Sequence, residues 1–314
     1  MEATPVQGDF SKMRAGKGLS RHSQDNLTIF LFLLPSLILF LLFVIYPILR
    51  STYFSFFDWG GMKPAVDFIG LENYKEILTD KVFMKALSHG FWIIVFSLLL
   101  QLPLSLAMAV MVGRDLPGRA FFRSIFFMPY VFSEVIAAIM WLNLFNPDPE
   151  RGLINALLVL VGAEAHPWLS DPGTVLICVF VVLTWKYFGL HMLLFMTGLQ
   201  NIPTEIEEAA RMDGANQFQL FTGIIVPLLG STIRTSVYMS VLGSLQQFIL
   251  VWIMTKGGPV NASEVMATYM YRFSFIRFQF GYGSAVAIVM FLICQTFSIV
   301  YQRLAPQHDY LGGN

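Results

Sequence analysis

Residues Glu207–Leu229 read EEAARMDGANQFQLFTGIIVPLL. This charged, glycine-centred stretch lies between two strongly hydrophobic runs of the C-terminal half, Thr174–Met196 and Ile233–Met254. A lipid-embedded chain has no structural need for such a segment, so it reads as a protrusion shaped to meet a partner. Upstream, Pro203 breaks the preceding run, and Thr204 with Glu207 three residues on has the form of a capping box. Glu205, Glu207 and Glu208 fall in the first turn, where the helix dipole favours anions. Ala209, Ala210 and Met212 carry the helix to Asp213-Gly214, and Gly214 is expected to close it in a left-handed conformation. A second short helix, from Asn216 to Ile225, returns the chain to the membrane and stops at Pro227. The result is a compact knob over residues 204–228, with alanines that allow close approach and glutamates at the rim. A solvated loop without a partner would have the same composition.

The 314-residue chain is 56% hydrophobic and 13% charged, against a charged share of roughly 25% in soluble domains. Its mean hydropathy is +0.64. A soluble fold of this size has no way to keep so much apolar surface from water. Formal net charge is zero, which gives no overall basic character for nucleic acid. Cys178 and Cys294 both sit inside apolar runs and read as small buried hydrophobes, not as a disulfide framework or metal site.

A bilayer core needs about 20 largely apolar residues in a helix. Besides Thr174–Met196 and Ile233–Met254, the runs Leu27–Leu49, Phe91–Val112, Phe121–Phe145 and Ser284–Val300 qualify. The expected fold is therefore an all-α polytopic membrane protein with six transmembrane helices. The last run is short, with Tyr282 and Tyr301 at its edges as interfacial anchors. Leu153–Val161 is too short to span and is expected at the surface. The first run is too long for a secretory apolar core and ends without a small-residue cleavage site, so it is read as a retained anchor.

Positive charge sets the orientation. Lys12, Arg14, Lys17 and Arg21 precede the first span, and Arg114, Arg119 and Arg123 fill the link between spans two and three. The link Asn146–Gly173 holds Arg151 alone beside Asp148, Glu150, Glu164 and Asp171. Tails 1–26 and 306–314 and the knob are thus expected in the cytoplasm. Lys256, Arg272 and Arg277 run against this, in an aromatic outer loop read as an interfacial helix. Pro35, Pro47, Pro103 and Pro129 each remove a backbone donor within a span, and the freed carbonyls must find partners inside the protein. That favours packed helices around a path over isolated anchors.

Few polar side chains fall at mid-span depth. In span five Ser236, Ser240, Gly243, Ser244 and Gln247 share one helical face, suited either to a solute or to polar helix–helix contact. In span four Thr184, Tyr187 and His191 share a face; Trp185 reads as packing and His191 as a packed, hydrogen-bonded residue. Lys186 costs about 3 kcal/mol at mid-span. Three readings stay open for it: an ion pair with Glu134 at similar depth, a cavity-facing contact, or snorkelling at the lipid edge.

Glu208-Ala209-Ala210-Arg211-Met212-Asp213-Gly214-Ala215, followed by Ile224-Ile225-Val226-Pro227-Leu228-Leu229, resembles the cytoplasmic coupling loop of binding-protein-dependent ABC importers. YPILRSTYFSF from Tyr46, FIGLENYKEIL from Phe68 and TKGGP from Thr255 resemble the maltose-type carbohydrate branch. Gly257-Gly258-Pro259 is similar to the first of its two paired permeases. The likeness runs from Leu27 to Arg303, with Ser88-His89-Gly90 and Lys186 as departures. It implies the type I importer permease fold: a first helix and outer loop over 27–84, then a core over 85–305. It implies coupling to a cytoplasmic ATPase dimer through Glu208, Ala209, Ala210, Asp213 and Gly214. It also implies solute contacts at Lys186, Tyr187, Ser240, Ser244 and Gln247, the last three matching sugar-contacting positions. The other partners implied are a second homologous permease, an extracytoplasmic solute-binding protein and membrane lipid. ATP and Mg belong to the ATPase subunits. The expected location is the cytoplasmic membrane of a bacterium or archaeon.

The chain carries no Gly-x-x-x-x-Gly-Lys-Ser/Thr loop and so cannot hydrolyse ATP itself. An ion-coupled secondary transporter is the rival reading, but there is no internal repeat and Glu134 is the one mid-span acid. An intramembrane enzyme would need catalytic or metal residues. No His-Glu-x-x-His or Gly-x-Ser-x-Gly occurs, and His22, His89, His166, His191 and His308 have no ligand spacing. The solute expected is a sugar or oligosaccharide, with a sugar phosphate or polyol as alternative. An Asp213→Cys variant should react with a membrane-impermeant maleimide only from the cytoplasmic side; labelling on intact cells would reverse the topology.

Overall fold

The computed structural model describes residues 21–113 and 118–305. Lys12, Arg14, Lys17, Arg114 and the tail 306–314, which enter the orientation argument, lie outside the described residues. Among the described residues the chain is helical, with one isolated antiparallel bridge between Phe57 and Phe68. It divides into two units, residues 1–50 and 51–314. The described part of the first holds most of one apolar helix, α1 (Thr28–Phe54), whose most apolar window buries none of its residues. A helix apolar all round belongs in lipid or against another chain.

In the second unit, α2 (Glu72–Thr79) precedes α3 (Lys81–Val112), whose start is capped by Asp80 accepting from the backbone N–H of Val82 and Phe83 at 2.6 and 2.8 Å. There follow α4 (Arg119–Val131), α5 (Glu134–Leu144), the short α6 (Leu153–Leu160) and α7 (Val175–Gln200). The knob is α8 (Thr204–Met212) and α9 (Gln217–Leu228). Then come α10 (Gly230–Leu245), α11 (Ile249–Met254), α12 (Met266–Tyr271) and α13 (Phe280–Leu304). Among the described residues five helices, with α10 and α11 counted as one, are long and apolar enough to cross a membrane, and α4 with α5, bent by 97°, makes the sixth when the pair is counted as one span.

That bend corrects the expectation of one continuous helix over Phe121–Phe145. The last span is also longer than its strict apolar run, at 25 residues. The aromatic outer loop is no surface helix: Met266, Ala267, Thr268 and Tyr269 of α12 are buried. Two of its three cations are engaged locally. Arg272 pairs with the fully buried Glu264 at 2.6 Å, and Arg277 lies 4.3 Å over the Phe273 ring. Burial pushes the Glu264 carboxyl above its ordinary value, and the Arg272 guanidinium pulls it back. These charges therefore do not argue for the opposite orientation.

Four turns of π-helix interrupt the described helices, and three end two residues before a proline: 41–45 before Pro47, 97–101 before Pro103 and 221–225 before Pro227. A proline ring clashes with the carbonyl one turn back and offers it no donor. Widening that turn moves the carbonyl aside while the helix continues.

The break in span three has another solution. Phe132 is extended (φ −62°, ψ 145°) and Ser133 starts α5, accepting from Val135 N–H at 3.3 Å. The freed carbonyls of α4 are met from α7. Lys186 Nζ donates to Pro129 O at 3.1 Å, to Tyr130 O at 2.8 Å, and to Phe132 O. One turn on, Gly189 lets the two helices touch: a Cβ there would lie 2.0 Å from Phe126 O. Of the three readings of Lys186, the ion pair with Glu134 gives way to this one, because the ammonium faces carbonyls and Glu134 instead accepts from Tyr187 OH.

Residues 186–191 of α7, with Lys186, Tyr187 and His191 among them, lie between two apolar clusters. Cys178, Val179, Val182 and Leu183 pack with Ala137, Ala138, Leu250 and Val251. Met192, Phe195, Met196 and Leu199 pack with Ala109 and Val112 of α3 and with Ala210, Leu220 and Ile225 of the knob. Lys186→Met should lower the thermal midpoint of the purified protein by several degrees, since each buried carbonyl left unpaired costs roughly 1–3 kcal/mol. The charge-swapped pair Lys186→Glu with Glu134→Lys should not restore a defective Lys186→Glu single; recovery would reinstate the ion pair.

Candidate functional site

A cavity of about 460 Å³ opens between α3, the α4–α5 break, α7 and α10. The walls near Ile93, Leu183, Leu190 and Met239 are apolar, and the polar groups converge from four directions. From α10 come Ser240, Gly243 and Ser244, with Gln246, Gln247 and Phe248 in the irregular turn that follows. Helical periodicity places the α10 residues on one face, and the interruption before α11 turns Gln247 onto the same wall. Ser240, Ser244 and Gln247 are buried within the protein yet border the cavity. Ser244 Oγ donates to Ser240 O at 2.8 Å, and Ser240 Oγ meets Ser97 Oγ at 2.7 Å. The wall opposite carries Tyr187 and His191 from α7, and Tyr130 and Glu134 from either side of the break.

Of the solute contacts expected, Tyr187, Ser240, Ser244 and Gln247 are thus brought together. Lys186 is not among the lining residues; it lies behind the wall, 3% exposed. Ser236 is buried one turn below the lining, its Oγ without a hydrogen-bond partner. Trp185 packs between Phe132 and Trp141, at ring separations of 6.5 and 5.6 Å. His191 corrects the hydrogen-bonded expectation: it is buried and lines the cavity, but Nδ1 has no partner among the described residues.

Sequence reading missed Ser97 and Gln101. They lie four residues apart in the apolar α3, inside the π turn ahead of Pro103, and are joined by a bond of 3.0 Å from Ser97 Oγ to Gln101 Oε1. Their spacing was a visible signal. Glu134 was noticed but given the wrong partner. Tyr130 and Gln246 had no signal in periodicity.

At the knob, α8 ends at Gly214 with φ +87°, as the glycine demanded. Gly214 N–H donates to Arg211 O at 3.1 Å and Ala215 N–H to Ala210 O at 3.0 Å, which closes the turn. The expected Thr204 cap is not formed: the N-cap position is Pro203, without a side-chain bond. The capping box lies instead at α9, where Asn216 and Gln219 exchange side-chain bonds at 2.9 Å. That helix also runs past Ile225 and through Pro227 to Leu228. Glu208, Ala209, Asp213 and Gly214 are exposed, whereas Ala210 faces inward and packs on Leu220 and Ile225. Met212 and Phe218, 89% and 74% exposed, are large apolar side chains standing out from the knob. Sequence reading gave them no role, because periodicity alone does not show which face of a two-helix knob turns outward.

A probable ABC transporter permease, YurN of Bacillus subtilis, is 36% identical over 90% of this chain and 97% of its own length. The multiple sugar-binding transport system permease MsmF of Streptococcus mutans is 31% identical over 88% and 95% of the two chains. The crystal structure of a bacterial alginate ABC transporter in complex with a pentasaccharide-bound periplasmic protein contains a chain that superimposes with a TM-score of 0.81, at 20% identity, over 94% of this chain and 99% of that one. Residues 101–309 match the model of a family described as the binding-protein-dependent transport system inner membrane component. The six-span helical architecture agrees with that match, and the chain belongs to this family: it is a permease subunit of an ABC importer and not itself an enzyme.

Proposed function

We propose that the solute carried is a neutral sugar or oligosaccharide, held in the cavity by Tyr187, Ser240, Ser244 and Gln247 together with Ser97 and Gln101. The observation that carries this reading is the composition of the lining. Hydroxyl and amide groups both donate and accept, as a polyhydroxylated ligand requires. Tyr187 and Tyr130 add aromatic faces, and the lining contains neither lysine nor arginine. With Lys186 committed to carbonyls behind the wall, the cavity lacks the cation that a sugar phosphate would call for. Lys186 therefore serves the site from behind, by fixing the turn that presents Tyr130 and Glu134. The sugar-related name of the Streptococcus mutans relative supports the same class.

The knob is then the contact for a cytoplasmic ATPase dimer, which supplies ATP and Mg. Glu208, Ala209, Asp213 and Gly214 face the partner, with Ala210 keying the knob to the bundle. A second homologous permease completes the pathway, an extracytoplasmic binding protein delivers the solute, and both termini lie in the cytoplasm of a bacterium or archaeon.

Proteoliposomes holding the whole complex, with binding protein outside and ATP inside, should accumulate a labelled oligosaccharide in a manner indifferent to uncouplers. Gln247→Ala should cut that uptake by about tenfold or less, the range of one or two net hydrogen bonds, while the complex still assembles. Uptake abolished by uncouplers would overturn the ATP-driven reading, and uptake untouched by Gln247→Ala would move the site elsewhere. Gly214→Val forces a β-branched side chain into a left-handed conformation. It should abolish ATP-driven uptake and weaken copurification of the ATPase, with the cavity intact; a fully active variant would break the coupling assignment.

A further inference from the structure

A second recess, of about 430 Å³, opens where the first turns of α10 meet the last turns of α13. It lies at the end of the bundle that carries the knob, since α10 begins immediately after α9. Ser231, Arg234, Thr235, Tyr238, Tyr301 and Gln302 line it. The guanidinium of Arg234 is the unusual group. Its Nε and Nη2 are sealed from solvent with no hydrogen-bond partner, and Arg234 forms no ion pair among the described residues. No carboxylate lines the recess.

Arg234 is half-buried, and its two sealed donors are costly, because they lose hydration and gain no acceptor. The neighbours do not supply the missing acceptors. Thr235 Oγ1 donates to Ser231 O at 3.0 Å, and Gln302 Nε2 to Ser298 Oγ at 3.3 Å. Tyr301 OH donates to Arg234 O at 3.0 Å, which anchors the arginine backbone to α13. The start of α10 lacks a side-chain cap, so the positive end of its dipole faces the same region. Behind these groups Tyr238, Phe297 and Tyr301 form an aromatic floor, with ring separations of 5.4–6.1 Å.

We propose that this recess binds a phosphate oxyanion, with the Arg234 guanidinium as its principal contact. A planar fork of N–H donors matches phosphate oxygens two at a time, which a point charge does not. Four residues into the helix puts Arg234 about 6 Å from the start of α10, near the end of the span where polar headgroups meet the apolar core. The aromatic floor suits the glycerol and upper acyl region beneath them. A phospholipid headgroup and a soluble phosphate share this chemistry, and the experiment separates them.

The assembled transporter, delipidated in a nonionic detergent, is titrated with dihexanoyl phosphatidylglycerol in one arm and inorganic phosphate in the other, with the thermal midpoint as readout. A rise with the lipid alone assigns the headgroup, and a rise with inorganic phosphate assigns a soluble ligand. In either case Arg234→Gln should weaken the apparent affinity by about tenfold or more, some 1.4 kcal/mol. Absence of both responses in the wild type overturns the proposal, as it would if a carboxylate of the second permease already filled the fork. A response that survives Arg234→Gln overturns it too. Should Arg234→Gln fail to assemble, Arg234→Lys carries the test: it keeps the charge and loses the fork, and an affinity equal to wild type is then the overturning result.

Discussion

The ammonium of Lys186 holds the bundle in its shape. A span bent by 97° exposes carbonyls that lipid cannot satisfy, and a lysine at mid-span costs about 3 kcal/mol when left to itself. Each liability removes the other. Hydrogen bonds from a charged donor are worth about 1.5–3 kcal/mol each, so three of them offset the burial of the ammonium. The cation also faces the C-terminal end of α4, the negative end of that helix's dipole. The contact fixes more than stability. It places Tyr130 before the break and Glu134 after it on one cavity wall, beside Tyr187, the next residue along α7. Tyr187 OH then donates to Glu134, so the carboxylate in the first turn of α5 has a hydrogen-bond donor on the same wall.

The prolines shape the bundle by a different device. Where a proline follows two residues later, the helix widens one turn and continues, with no break. In α3 that turn is Ser97–Gln101, and the two polar residues that bound the widened turn are those that reach the cavity. In α9 the same device lies at Phe221–Ile225, between the exposed knob and the start of span five. Pro129 has no such turn. Its helix stops two residues later, and the carbonyls of Pro129, Tyr130 and Phe132 go to Lys186 instead.

Much of this was legible in the chain. Composition and run length showed a six-span helical membrane protein, and the glycine after Asp213 showed a left-handed stop because only that conformation ends a helix so abruptly. The period of three and four in span five showed a polar face. What escaped had non-local causes. Pro129 marks an interruption near Phe132 but not a right-angled turn; what holds the turn lies at Lys186, 57 residues from Pro129 in sequence, and at Gly189, where the helices close. Counting residues for depth put Glu134 opposite Lys186, but the count assumed a straight helix through the point where the chain turns. Thr204 had the form of a cap, yet Pro203 fixes the entry to α8 and leaves its side chain unbonded. Ala210 shares an alanine pair with Ala209, and only packing against Leu220 and Ile225 separates the inward member from the outward one.

The route from knob to cavity follows from where the apolar contacts are continuous. α7 runs unbroken from Tyr187 and His191 on the cavity wall to Gln200, a span of about 20 Å at 1.5 Å per residue. Its lower half packs with Ala109 and Val112 of α3 and with Ala210, Leu220 and Ile225 of the knob in one cluster. Close-packed side chains resist shear, so a partner that displaces the knob displaces the lower halves of α7 and α3 with it. The upper half of α7 belongs to a different cluster, with Ala137, Ala138, Leu250 and Val251. The boundary between the two clusters falls at residues 186–191, where Lys186 grips the broken span, Gly189 closes on Phe126, and Tyr187 and His191 face the cavity. The stretch of α7 that borders a cavity is less closely packed than either cluster, and it yields first. Under the function proposed above, that is where access to the solute must change.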